Sequence, residues 1–208
     1  MEKKKILPVV IAVVLMVLII VGAVGVKLYE KYSYSRETMD LSRYYGIEKE
    51  GQVPIILADV VAEEKAANID GNDYLPLSFV QEQLNSRFYY DMNEKLLLYT
   101  TALDLYEIPL DSTTYTVSGE AAEHTCPIFV LQDEVPYVSL SFMENFSNFI
   151  CNVYEAPHRL QIYTENVTHQ TAVIQKATAV RYQGGIKSDI LEQQDAGSQV
   201  TVLEEMEN

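Results

Sequence analysis

The sequence predicts an α+β fold, with antiparallel strands and one helix per repeat, hung on a single N-terminal transmembrane helix. Three observations lead there. Residues 6–26 form an apolar run without a charge. Residues 74–80 (YLPLSFV) and 137–143 (YVSLSFM) repeat one another at an offset of 63. Short β-branched and aromatic runs, bounded by polar turns, fill most of the remaining chain.

The membrane segment comes first. A helix needs roughly 20 apolar residues to cross the hydrocarbon core, and residues 6–26 supply 21. Lys3, Lys4 and Lys5 precede them. Basic residues stay on the cytoplasmic side, so residues 1–5 are expected inside and residues 27–208 outside. A cleaved signal peptide is the rival reading. Its apolar core is usually about 7–15 residues and ends in a small-x-small site. The run here is longer, and Ala23-Val24-Gly25 fits such a site poorly. An uncleaved anchor is preferred, and either reading exports the body. Residues 27–49 read as a stalk, helical over 27–45, with Ser35 as a new cap and Gly46 as a stop. Tyr29, Tyr32 and Tyr34 sit where amphipathic rings favour the membrane–water interface.

Residues 50–165 form the duplicated domain. Tyr74, Leu77, Ser78 and Phe79 match Tyr137, Leu140, Ser141 and Phe142. Further on, LLLYT (96–100) matches LQIYT (160–164) at an offset of 64, which implies a small insertion between. Each copy reads as a polar turn, a short strand, a helix from Leu77 or Leu140, and a strand pair. More strand-like runs lie at 53–57, 104–109, 113–117 and 127–131. The "PLSFV"-like helix start and the strand pair ending "LLLYT" resemble the copper amine oxidase N-terminal-like domain, common in exported proteins of Gram-positive bacteria. The resemblance implies a stalk or wall-facing module that carries no copper.

Residues 170–208 change character. Val180-Arg181-Tyr182, Gly184-Gly185 with residues 188–191, and residues 196–202 resemble the opening half of a bacterial SH3-like domain. Such domains continue with a tryptophan strand, and this chain has no Trp. An incomplete SH3-like barrel is therefore expected here, with the sequence read as the front of a longer polypeptide. Anchor, stalk repeat and SH3-like module in this order resemble the N-terminal part of membrane-anchored family 18 glycoside hydrolases. The resemblance implies chitin-like or peptidoglycan glycans as the parent's substrate.

Charge and chemistry narrow the function further. The first 32 residues balance to +3, while the rest carries 10 basic and 28 acidic groups. A body this acidic repels phosphate backbones, so nucleic acid is not an expected partner; the membrane and a wall glycan are. The DxxDxDxE motif of family 18, GxSxG and phosphate-cradling glycine loops are all missing, so no catalytic residue is assigned. A Ser141–His158–Asp133 set can be drawn, as it can from any chain this long. His124, His158 and His169 lack metal-ligand spacing, so no metal or other cofactor is expected. Cys126 and Cys151 are either a disulfide or two free thiols. Tyr89, Tyr90, Tyr99, Tyr154 and Tyr163 fall in strand-like segments, where they fill cores or face a glycan, and Tyr89, Tyr90, Tyr154 and Tyr163 are the glycan-facing candidates.

Overall fold

A computed structural model describes residues 3–164 and 170–202 of the chain. It divides into two units, residues 1–39 with 173–199, and residues 40–172 with 200–208.

In the first unit, helix α1 (Lys3–Tyr32) contains the apolar run. Val10–Tyr32 has the length and composition to cross a membrane, and none of it is buried by protein. Apolar side chains all round a helix are stable only in an apolar solvent, so the fully exposed stretch suits a bilayer. The helix expected to continue to Tyr45 stops at Tyr32. Residues 33–39 are extended, and a one-turn helix α2 (Leu41–Tyr44) follows, capped by Asp40 rather than Ser35. The physical reason is competition for backbone partners. The amides of Ser35 and Met39 donate to the carbonyls of Ile186 and Ile190, at 2.7 and 2.8 Å, and the Ile190 amide donates to Glu37 at 2.8 Å. Helix geometry would forfeit all of these.

The second unit begins with the antiparallel strands β1 (Gln52–Leu57), β2 (Val60–Ile69) and β3 (Asn72–Pro76). Strand β3 runs into α3 (Leu77–Phe79) and a single π turn, Val80–Leu84. The hairpin β4 (Phe88–Asp91) and β5 (Leu96–Thr100) closes the first copy. Strands β6 (Leu105–Pro109), β7 (Thr114–Val117) and β8 (Glu120–Glu123) extend that hairpin into a five-stranded antiparallel sheet. The second copy has β9 (Phe129–Gln132) leading to β10 (Val135–Ser139), then α4 (Leu140–Met143), then the hairpin β11 (Ile150–Tyr154) and β12 (Arg159–Tyr163). These join the early strands in a seven-stranded sheet ordered β11-β12-β1-β2-β3-β10-β9, in which β1 and β12 are parallel.

The repeat is real in three dimensions, and it is cleaner than the sequence match implied. Hairpin register places Phe88 opposite Tyr99 and Cys151 opposite Ile162. Both pairs are related by an offset of 63, so no insertion separates the copies. Burial agrees, because Leu97 and Tyr99 face the core in one copy, and Leu160 and Ile162 in the other. The copies meet at β3 and β10, where Leu75 pairs with its own equivalent Val138, flanked by Tyr74–Ser139 and Pro76–Tyr137. Such self-complementary pairing defines an internal pseudo-two-fold axis. Phe79, Val80, Phe142 and Met143 pack on either side of it in one continuous core.

At the chain's end, β13 (Gln170–Val173) pairs with β16 (Gln199–Val202), and β14 (Thr178–Arg181) pairs antiparallel with β15 (Ile190–Gln194). These are separate two-stranded ladders. A bridge from Thr38 runs parallel to Ile190, so the segment 33–39 lies along an edge of β15. Covering an open strand edge satisfies backbone groups that otherwise invite aggregation.

Candidate functional site

The pseudo-two-fold axis makes the end of each copy's helix lie beside the last strand of a hairpin, and a cleft opens at each of these places. The first is about 540 Å³ and is lined by Tyr99, Thr101, Tyr106, Asn145, Phe146 and neighbouring residues. The second is about 880 Å³ and includes Phe79, Glu82, Gln83 and Thr164. At an offset of 63, Thr101 corresponds to Thr164, Asn145 to Glu82 and Phe146 to Gln83. The clefts are therefore equivalent places that have diverged. Glu63, Glu64 and Glu82 make the larger one acidic over an apolar floor. The smaller one is uncharged, aromatic and amide-lined.

The aromatic cleft is built by strand register. Phe88 stacks on its cross-strand partner Tyr99 at 4.4 Å, and Tyr99 lies 5.5 Å from its own cross-strand partner Tyr106. Phe146, carried past α4, meets Tyr99 and Tyr106 edge-on at 5.0 Å each. Phe142 continues the cluster 4.7 Å from Phe146. Rings held in mutual contact lose little further freedom when a ligand stacks on them. Burial, then the charge of Asp104, pushes the Tyr106 phenol above its ordinary pKa, so it stays a neutral hydrogen-bonding group.

Polar groups at the rim are open. Asn145 donates from Nδ2 to the carbonyls of Ser141 and Phe142, which leaves Oδ1 to accept. Asn85 of the first copy donates to the Phe146 carbonyl at 2.9 Å. Its equivalent, Asn148, lines the cleft with its amide unpartnered among the described residues. Among the described residues the Ser147 hydroxyl, buried there, has no hydrogen-bond partner. A buried hydroxyl with nothing to bond costs stability, and such groups mark places where water or a ligand completes the network.

The tyrosines picked out by sequence are placed differently. Tyr89 and Tyr90 point to opposite faces of β4; Tyr89 is 61% exposed, whereas Tyr90 packs 4.9 Å from Phe129. Tyr154 and Tyr163 share the outer face of the β11–β12 hairpin, where Arg159 lies 4.8 Å over the Tyr154 ring and Gln161 donates to the Tyr163 hydroxyl. They do not converge on one cavity. The pairing of Tyr99 with Tyr106 depends on β5–β6 register, and Phe146 arrives from the other copy, so neither meeting is readable from local sequence. The internal repeat was the signal that could have found them.

Other expected chemistry stays apart. His158 Nε2 pairs with Asp73 at 2.8 Å, Asp133 pairs with Lys49 at 3.0 Å, and Ser141 lies 3.5 Å from His124 Nε2. The Ser141–His158–Asp133 set is thus distributed over three places. Cys126 and Cys151 are free thiols. Among the described residues no three His, Cys, Asp or Glu groups converge as a metal site, and His169 lies outside those residues.

Fold and site together define an α+β body of antiparallel sheets, behind a helix able to span a membrane, with a small aromatic, amide-rimmed cleft. No family model matches the chain, and no curated protein or solved structure matches it.

Proposed function

We propose that the chain is a membrane-anchored, extracytoplasmic, non-catalytic stalk and cell-wall-binding region. In this reading it is the N-terminal part of a family 18 glycoside hydrolase acting on chitin-like or peptidoglycan glycans. Lys3, Lys4 and Lys5 hold the short N-terminus in the cytoplasm. The duplicated domain is a copper amine oxidase N-terminal-like spacer, and the C-terminal strands are the opening half of an SH3-like module.

The observation that carries wall binding is the aromatic cleft. Sugar rings present apolar C–H faces and a rim of hydroxyls. Tyr99, Tyr106 and Phe146 offer the matching apolar surface, and the exposed Asn145 and Asn148 offer donors and acceptors around it. A few placed polar groups on an aromatic floor are the usual composition of a small-ligand site. The acidic cleft suits neutral or anionic glycan less well, since Glu63, Glu64 and Glu82 would be desolvated against it.

Retention of the detergent-solubilised full chain on purified peptidoglycan and on chitin tests the proposal. We expect wild-type retention on at least one of them. Asn148→Ala should weaken it, because losing one ligand hydrogen bond costs about 1 kcal/mol, roughly a fivefold change in affinity. No retention on either polymer would leave the alternative, a structural surface stalk without a glycan ligand.

A further inference from the structure

We infer that the end of α1 and the loop before β15 form a binding site for the headgroup of an amine-bearing, zwitterionic phospholipid. Its phosphate would lie on Arg36 and Lys187, and its ammonium on Glu30 and Glu37. The inference rests on α1 being the anchor.

Depth is the first support. The uncharged run ends at Val26, and Glu30 follows four residues later on the same helix. At ~1.5 Å per residue that is about 6 Å beyond the hydrocarbon edge. The headgroup layer is roughly 5–8 Å thick on each side of the core. A pocket of about 560 Å³ opens at this level, lined by Glu30, Ser33, Arg36, Glu37 and Lys187 among others.

Chemistry is the second support. The Lys187 amine donates to the Glu30 carbonyl and, at 3.4 Å, to Ser33 Oγ. Those contacts pin the ammonium at the C-terminal end of α1, where a cation also meets the negative end of the helix dipole. An ammonium has three donors, so one remains for a ligand. Arg36 is exposed and makes no ion pair or hydrogen bond among the described residues, which leaves its planar fork open to a phosphate. Tyr29 and Tyr32 are 70% and 64% exposed on the adjoining turns, as rings at a membrane interface are.

Charge balance selects the headgroup. Arg36 and Lys187 are matched by Glu30 and Glu37, so the lining is neutral and gives an anionic lipid no advantage. The carboxylates can accept hydrogen bonds from a primary ammonium, and a quaternary ammonium has none to donate. Phosphoethanolamine meets both requirements, whereas phosphocholine and phosphoglycerol each meet one.

The test is native mass spectrometry of the full chain, released from micelles holding equal amounts of phosphatidylethanolamine, phosphatidylglycerol and phosphatidylcholine. One retained phosphatidylethanolamine is expected, enriched about tenfold over the other two, a difference of roughly 1.4 kcal/mol. The Arg36→Gln/Lys187→Gln double variant should lose the enrichment while staying in the alkali-resistant membrane pellet, and Lys187→Arg should keep it. Equal retention of the three lipids, a preference for phosphatidylglycerol, or enrichment unchanged in the double variant overturns the site. Displacement of the lipid by inorganic phosphate alone would mark a free-anion site and overturn it as well. A wild-type chain missing from the alkali-resistant pellet would fell the anchor and the headgroup site together, an outcome distinct from loss of selectivity in an inserted chain.

Discussion

At the residue scale, the best-defined polar contact joins parts of the chain far apart in sequence. His158, in the turn between β11 and β12, holds Asp73 of β3 at 2.8 Å, while Asn68 donates to the same carboxylate at 2.8 Å. Burial alone would lower the His158 pKa. The hydrogen bond and charge of Asp73, then those of Glu155, outweigh it, and the pKa is raised. A raised folded-state pKa means that the folded form binds the proton more tightly than the unfolded chain. The contribution is full below the unfolded value of about 6.5 and is lost as pH rises through the higher folded value. Asp73→Asn should therefore cost about 1–2 kcal/mol at mildly acidic pH, and the gap to wild type should close as pH rises above neutrality. Urea midpoints across that range check it, and a gap independent of pH would contradict the charged pair. The cysteines give a second prediction. Cys126 is 5% exposed, and burial, then Glu144 and Asp73, pushes the Cys151 thiol up to about 12. Thiolate is the reactive form, so the folded chain should alkylate slowly at neutral pH and take up two alkyl groups once unfolded. A chain taking up none after unfolding would be disulfide-bonded.

At the element scale, the turns explain why the repeat was easy to see and its register was not. Asp70-Gly71, Ser118-Gly119 and Asp133-Glu134 are two-residue hairpin loops with both central residues at positive φ. A type I′ loop requires this, and glycine at the second position tolerates it best. Polar turn chemistry is local, so the loops before Tyr74 and Tyr137 were legible. Strand faces were not. Matching LLLYT to LQIYT at 64 put Tyr163 in the place of Tyr99, whereas the fold equates Tyr99 with Ile162. A slip of one residue moves every side chain to the other face, so the match at 64 equates the buried Tyr99 with Tyr163 on the outer face of its hairpin. The loops also yield a prediction. Glu134 sits at φ 66° where the other two loops carry glycine. A left-handed conformation costs a non-glycine residue about 1 kcal/mol. Glu134→Gly should raise the melting temperature by a few degrees, and calorimetry showing a fall would mean that the Glu134 side chain contributes more than its backbone costs.

At the scale of the whole molecule, what was legible was what the chain encodes locally: the apolar span, the duplicated strand–helix–strand–strand unit and the α+β class. What was not legible came from distant partners. The division of the hairpins between a five- and a seven-stranded sheet, the pseudo-two-fold pairing of Leu75 with Val138, and the clefts it creates all depend on contacts dozens of residues apart. The same holds for the stalk. Helix propensity favoured continuation to Tyr45, but the segment 33–39 found backbone partners in residues 186–190 and became extended. In its own unit that segment acts as a strand added to β15, fastened by the Arg181 guanidinium, which donates to the carbonyl of Ser35 at 2.9 Å and also to that of Ser188. This explains how a two-stranded ladder can be stable, because the segment 33–39 covers its open edge. Met39→Pro tests this, since it removes the amide that donates to Ile190 while leaving every side chain of β14 and β15 in place. Loss of that bond costs about 1 kcal/mol. Hydrogen exchange at the Ile190 amide should then lose roughly fivefold in protection, while the amides pairing β3 with β10 keep theirs. If Ile190 is equally protected in the variant, the edge is held by something other than the segment 33–39.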